Sequence, residues 1–130
     1  MTVFLDIEDV YKLHEAIIAR AGTKAGVRDF ALLHSAVERP KATFGGQALY
    51  PTIFAMAAAL LQSICMNHAF TDGNKRTAWG TTKLFLFLNG WHLKAVSHEA
   101  ADFMVMVDNE KPTLQEISSW LKARSTKQSK

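Results

Sequence analysis

The order of apolar and polar residues along the chain predicts helices almost throughout. Apolar residues recur three or four positions apart in most segments, which is the spacing of one helix face. Residues 53–61 are apolar nearly all round, which indicates the most buried helix of a bundle. The pattern therefore predicts an all-α bundle of about six helices.

Helix-start and helix-stop residues suggest the boundaries. Asp6 can cap a first helix over residues 7–21, and Gly22 can end it. The remaining helices are predicted from Asp29 to Glu38, from Pro51 to about Asn67, from about Asn74 to Asn89, from Ser97 onward and from Thr113 onward. The expected core faces are Leu84, Phe85, Phe87 and Leu88 in the fourth helix, and Ala101, Met104, Val105 and Val107 in the fifth.

Residues 41–50 break the helical pattern. Thr43-Phe44 and Leu49-Tyr50 flank the pair Gly45-Gly46, and Gln47 follows that pair. Short apolar or β-branched runs around two glycines are typical of a hairpin. We therefore expect one small β-hairpin flap on an otherwise helical domain.

Length and charge narrow the class of protein. The 130 residues fit one domain, predicted over residues 1–124, with a disordered basic tail at 125–130. The last nine residues carry four basic residues and no acid, so the net charge of +3 becomes −1 for residues 1–121. Specific nucleic-acid binding, which favours a basic face on the folded domain, is therefore disfavoured. Binding through the tail stays as an alternative.

Two features point to a cytoplasmic protein that is not embedded in a membrane. The longest apolar run, residues 53–66, is too short to span a bilayer. The single Cys65 cannot form an internal disulfide, which favours a reducing compartment. Within its apolar run Cys65 is interpreted as a packing residue.

Residues 68–76 are the strongest candidates for chemistry. The segment reads His-Ala-Phe-Thr-Asp-Gly-Asn-Lys-Arg, and Lys75 and Arg76 fall in the first turn of a predicted helix. Cations at a helix N-terminus cost roughly 0.3–1 kcal/mol each, unless an anion binds there. The free N–H groups of the helix, Gly73 and the two cations would all favour a phosphate.

Two further side chains extend that interpretation. Asp72 beside a phosphate needs a bridging cation, for which Mg²⁺ is the usual choice, and His68 can accept a proton near neutral pH. Phe70 would anchor the loop in the core. Each residue alone has a simpler explanation, His68 as a helix C-terminal cation and Asp72 or Asn74 as caps. Together they favour a phosphate site. The other histidines, His14, His34, His92 and His98, lie on separate elements without metal-ligand spacing.

The segment resembles the signature of the Fic/Doc family, HxFx(D/E)GN(G/K)R. Similarity to the Doc, or death-on-curing, branch extends to Arg39-Pro40, to the flap and to the residues after Arg76, over roughly residues 5–122. The resemblance implies a Fic-type helical fold. It also implies that His68 is the general base, Asp72 the Mg²⁺ ligand, and Gly73, Asn74, Lys75 and Arg76 the nucleotide-binding residues. The flap residues implied to align the target are Thr43, Phe44, Gly45, Gly46 and Gln47.

Two positions separate this chain from the AMP-transferring members. Lys75 stands where those have glycine, and Trp79 where they have a second arginine. In Doc-like members this goes with transfer of the γ-phosphoryl group of ATP to a protein hydroxyl. The resemblance implies a toxin acting on a translation elongation factor and neutralised in trans by a small antitoxin. No copy of the family's inhibitory motif is evident. AMP transfer and a catalytically inactive binding module remain alternatives.

Overall fold

A computed structural model describes residues 1–22 and 26–129, and within them six α-helices form a bundle. The helices are α1 (Ile7–Ala21), α2 (Phe30–Glu38), α3 (Ile53–Asn67), α4 (Asn74–Leu88), α5 (Ser97–Glu110) and α6 (Leu114–Ala123). Two antiparallel ribbons join them, β1 (Thr43–Phe44) with β2 (Gln47–Ala48) and β3 (Trp91–Leu93) with β4 (Ser125–Lys127). The predicted helical bundle with a small hairpin is confirmed.

Helix α3 is the centre of the bundle, as its continuous apolar sequence predicts. Nine of its residues are buried, from Phe54 to Cys65. The helices α2, α4, α5 and α6 all pack against it. A helix surrounded on all sides has no solvent face, which explains why no polar stripe interrupts residues 53–61.

Four helices begin with side-chain caps, and Asp29 caps α2 by accepting from the Leu32 N–H at 3.0 Å. Asp6 caps α1 and Thr113 caps α6, each in a reciprocal capping box with the residue three positions later. Thr52 caps α3 by accepting a hydrogen bond from the Ala55 N–H at 3.0 Å. Pro51 therefore precedes the cap and does not lie in the first turn, which corrects the predicted start by two residues.

The predicted core faces of α4 and α5 are partly wrong. Phe87 and Leu88 are 55% and 41% exposed, and Val105 is 46% exposed. The buried face of α4 instead includes three threonines; its members are Thr77, Ala78, Thr81, Thr82, Phe85 and Leu86. That of α5 is Ala100, Phe103, Met104 and Val107. The hydrophobic pattern fails here because a threonine hydroxyl can be buried when it has a partner, as Thr82 has in the Ala78 carbonyl at 2.8 Å and Thr77 in His14 at 2.9 Å.

The C-terminal segment is ordered where a disordered tail was predicted. Residues 125–127 form β4, and the Gln128 N–H donates to the Gly90 carbonyl at 2.9 Å. The backbone of β3 needs hydrogen-bond partners, and pairing with β4 supplies them whatever side chains β4 carries. Residue 130 lies outside the described residues. In the described part of the chain, no helix has the length and apolarity needed to cross a bilayer.

Candidate functional site

The loop between α3 and α4 begins with His68 in an uncommon backbone conformation. His68 ends α3 with φ of 51°, in the left-handed region that non-glycine residues seldom adopt. Its carbonyl accepts a hydrogen bond from the Arg28 guanidinium at 2.5 Å. This strained position turns the chain sharply at the end of the buried helix and leaves the His68 side chain half exposed.

Phe70 and Asn74 fix the middle of the loop. Phe70 is buried and stacks on the ring of His14, with 3.7 Å between ring centroids. The Asn74 side chain accepts from the Phe70 N–H at 3.1 Å and donates to the Phe70 carbonyl at 3.0 Å. Phe70 thus lies in the core, as predicted. The Asn74 side chain is engaged within the loop, so its backbone N–H is the group it can offer a ligand.

A second segment of the chain, residues 26–29, supports the loop through backbone hydrogen bonds. The backbone N–H groups of Arg28 and Asp29 both donate to the Ala69 carbonyl, and the Thr71 N–H donates to the Gly26 carbonyl. Residues 26–29 therefore act as a short β-like support for residues 69–71. No periodic pattern of side chains predicts this contact, because it involves isolated backbone groups on irregular segments.

Gly73 begins α4 without a cap. Its φ is 78°, and a Cβ added there would lie 2.6 Å from Ile18 Cδ1. The backbone conformation therefore favours glycine, and the Ile18 side chain would have to move to admit a Cβ. Since no side chain caps this helix, the N–H groups of Asn74, Lys75 and Arg76 have no intrahelical or capping partner. They form a ready site for an anion.

Asp108 is a functional candidate that sequence reasoning missed. Its carboxylate, on α5, lies 3.8 Å from His68 Nε2 through Oδ1 and 3.6 Å from Lys75 Nζ through Oδ2. Lys75 at the start of α4 therefore already has an acid partner and is weaker evidence for a bound anion than the sequence suggested. The available signal was an acid in the last turn of a helix, where the dipole disfavours it.

Arg76 keeps its charge uncompensated. No carboxylate lies within ion-pair distance of it among residues 1–22 and 26–129. Together with Lys75 it lines one part of a groove of about 510 Å³ between α1, α4 and α5, whose walls are mostly apolar and include Ile17, Trp79 and Met104. A cationic group beside an apolar groove can bind an anion and an apolar surface together.

Asp72 lies next to this N-terminus and is exposed to solvent. Its Oδ1 accepts the Gly73 N–H at 2.8 Å, which leaves the other carboxylate oxygen available. Among the described residues no cluster of three or more His, Cys, Asp or Glu side chains could hold a metal by itself. Mg²⁺ commonly needs only one or two carboxylates when phosphate oxygens and water supply the rest, so Asp72 fits that arrangement.

His14 supports the loop from beneath, in a position that its sequence did not reveal. It is completely buried, and its Nδ1 lies 2.9 Å from the Thr77 hydroxyl of α4. Burial lowers the pKa of His14, so the ring stacked on Phe70 is neutral. The other three histidines, His34, His92 and His98, are exposed and lie on α2, β3 and α5.

The flap projects from the domain. Gly45 and Gly46 have φ of 59° and 80°, which gives the two-residue turn typical of tight hairpins, and Phe44 is 82% exposed. At its base, the Tyr50 hydroxyl accepts from Arg39 Nε at 2.8 Å, and Arg39 also donates to Gln62 and Ser63 of α3. In the described structure no hydrogen bond or ion pair joins residues 43–47 to residues 68–76.

Comparison with known proteins places this site in a family. A family model described as the Fic/DOC family matches residues 4–86. The chain is 46% identical over 119 residues to "Toxin Doc" of Mycolicibacterium smegmatis, covering 92% of this chain and 83% of that protein. It is 32% identical over 83 residues to "Protein kinase doc" of Escherichia phage P1, covering 64% of this chain and 65% of that protein.

Proposed function

This chain belongs to the Fic/DOC family, and we propose that it is the toxin of a toxin–antitoxin pair that phosphorylates a protein. In this proposal the γ-phosphoryl group of ATP is transferred to a hydroxyl of the target. The observation that carries it is the uncapped N-terminus of α4, with Arg76 in its first turn, preceded by a loop that presents the half-exposed His68 and the exposed Asp72. The names of the two relatives, a toxin and a protein kinase, support it.

Each side chain of the loop has a proposed role. His68, half exposed at the end of α3, takes the proton from the target hydroxyl. The N–H groups of Asn74, Lys75 and Arg76 and the Arg76 guanidinium hold phosphate oxygens. Gly73 keeps the backbone open to the ligand, and the Asn74 side chain maintains the loop that places these groups.

Magnesium and ATP fit the groups that the chain presents. Asp72 has one carboxylate oxygen without a hydrogen bond to the protein, and it would hold the Mg²⁺. The metal would neutralise phosphate charge, as it does in other phosphoryl-transfer enzymes. Lys75 and Arg76 supply the positive charge on the protein side. The chain itself would then contribute positioning: His68 would position the hydroxyl, and the N-terminus of α4 would position the phosphate.

Phosphoryl transfer is favoured over AMP transfer by Lys75. A lysine at this place adds charge and bulk where the AMP-transferring members have glycine, and the phage P1 relative is named a protein kinase. AMP transfer remains the second candidate because His68, Asp72 and Arg76 would serve either reaction.

The partners follow from two surfaces. The exposed flap residues Thr43–Gln47 have free backbone edges on which an extended target segment could add a strand. We propose a translation elongation factor in the cytoplasm as this target. The groove between α1, α4 and α5 ends at Lys75 and Arg76, and a helix of a separate antitoxin bound there would cover them.

Labelled nucleotide tests the reaction. The protein is incubated with Mg²⁺, a translation elongation factor and either γ-labelled or α-labelled ATP. We expect label on the target from γ-labelled ATP alone, and intact-mass measurement should show an added phosphate. Label from α-labelled ATP would contradict phosphoryl transfer and support AMP transfer.

His68→Ala separates catalysis from binding. This variant should abolish labelling and growth arrest, because a positioned base contributes roughly 100- to 10,000-fold to the rate. His98→Ala, at an exposed position on α5, is the matched control and should behave as wild type. Growth arrest that persists in His68→Ala would favour a binding module without catalysis.

A further inference from the structure

One carboxylate from outside the matched family segment lies close to two residues of the segment 68–76. Asp108 lies on α5, beyond the matched residues 4–86, and faces His68 and Lys75 with its two oxygens. Its side chain is 24% exposed, whereas those of His68 and Lys75 are 50% and 46% exposed. A carboxylate that is largely screened from water interacts more strongly with neighbouring charges than a surface one.

The helix dipoles explain why these groups meet. Lys75 is in the first turn of α4, where the dipole is positive, and Asp108 is in the last turn of α5, where it is negative. Each charge therefore interacts unfavourably with the dipole of its own helix, while the two opposite charges attract each other. Both distances also exceed hydrogen-bond length, so neither group is locked to Asp108.

We propose that Asp108 is the internal counter-ion of the phosphate site, which a bound nucleotide must displace from Lys75, and that it orients the imidazole of His68. The inference rests on the proposed function. Asp108 competes with phosphate for Lys75 and so weakens nucleotide binding, while its second oxygen, 3.8 Å from Nε2, orients the His68 ring by charge attraction and not by a hydrogen bond. It is a positioning residue, since it acts through Lys75 and His68.

The Asp108→Asn variant tests this proposal because asparagine keeps the shape and removes the charge. By calorimetry we expect MgATP to bind the variant about two- to five-fold more tightly than wild type, the range of a partly exposed ion pair. The kcat for target labelling should fall by about ten-fold, a fraction of what a positioned base contributes. Opposite changes in Kd and kcat would not arise from general damage to the fold.

Two further variants and one double-mutant cycle make the test specific. Asp102→Asn, an exposed acid on the same helix, should leave Kd and kcat at wild-type values. Asp108→Glu retains the charge and should restore Kd. In a Lys75→Met background, Asp108→Asn should no longer change Kd, because the Lys75–Asp108 interaction is already absent from that background.

The outcomes separate this proposal from the proposed function. A Kd that rises or stays unchanged in Asp108→Asn, an unchanged kcat, or an effect that persists in Lys75→Met overturns the role of Asp108. The proposed function survives those results if wild type still transfers the γ-phosphoryl group. Wild-type protein that binds no MgATP overturns both. The melting temperature of Asp108→Asn, measured without nucleotide, should stay within about 2 °C of wild type, because relief of the unfavourable interaction with the α5 dipole offsets the lost attraction to Lys75.

Discussion

The helices on either side of the motif loop begin in opposite ways. Helix α3 starts with Thr52, whose hydroxyl satisfies a free N–H, whereas α4 starts with Gly73 and leaves its first N–H groups open. The capped helices α1 and α6 also carry acids in the first turn, and α4 carries Lys75 and Arg76 there. The comparison shows that α4 lacks the local stabilisation that α1, α3 and α6 have, at the place where an anion would supply it.

Replacement of Gly73 should have the largest effect on stability. Gly73→Ala forces alanine into the left-handed region, which costs about 1–2 kcal/mol, and drives a methyl group against Ile18, which adds about 1–3 kcal/mol. Gly22→Ala is the matched control, since Gly22 has φ of 72° but open space around it. Urea unfolding should show the larger loss for Gly73→Ala; equal losses would mean that Ile18 moves aside at no cost.

Arg76→Ala should separate function from stability. We expect MgATP affinity to fall about ten-fold or more, because a charge-assisted hydrogen bond is lost. The free energy of unfolding should rise by up to about 1 kcal/mol, since a cation leaves a helix N-terminus. Calorimetry and urea unfolding measure the two quantities. Arg20→Ala, at an exposed position in the last turn of α1, should leave affinity unchanged. A stability loss without an affinity loss in Arg76→Ala would refute the anion site.

Thr52→Ala should give the reverse result. Loss of the cap that accepts the Ala55 N–H should lower the free energy of unfolding by about 0.5–2 kcal/mol. MgATP affinity should not change, because Thr52 begins α3 at the end remote in sequence from His68. Thr113→Ala removes the cap of α6 and provides the same comparison at a second capped helix. A change of MgATP affinity in either threonine variant would contradict the expected difference in function between capped and uncapped helix starts.

The smallest expected effect is that of acid, which should lower the free energy of unfolding through the acidic capping boxes of α1 and α6. Hydrogen bonding to the backbone of Asp9 lowers the pKa of Asp6, and hydrogen bonding to the backbone of Thr113 lowers that of Glu116. Their contribution to stability is present above the usual values of 3.8 and 4.5 and disappears as the pH falls below them. Urea midpoints of wild type and Asp6→Asn should therefore converge below about pH 4. A constant difference down to pH 3 would contradict this origin.

Local signals predicted the helices and the loop well. Asp6, Asp29 and Thr113 cap helices where their sequence indicated, and Phe70 is buried as expected. These features depend on residues within a few positions of each other. The roles of His68, Asp72 and Arg76 remain predictions that biochemistry must test.

The missed features all depend on contacts distant in sequence. Asp108 reaches Lys75 from α5, and His14 reaches Thr77 across 63 positions. Strand β4 was expected to be a disordered tail because Ser125, Thr126 and Lys127 are polar, yet its pairing depends on the backbone of β3. Neither side-chain periodicity nor composition reports where an unpaired backbone edge will find its partner.

The ribbon of β3 and β4 makes a closed loop of the segment between them. The Lys94 N–H donates to the Arg124 carbonyl at 2.9 Å, so residues 94–124 leave and return at one point. Closure of such a loop reduces the entropy that α5 and α6 could gain by detaching. A few polar residues at the base of the loop thereby help to hold Asp108 against His68 and Lys75. The precision of the site thus depends on chain topology as well as on its own side chains.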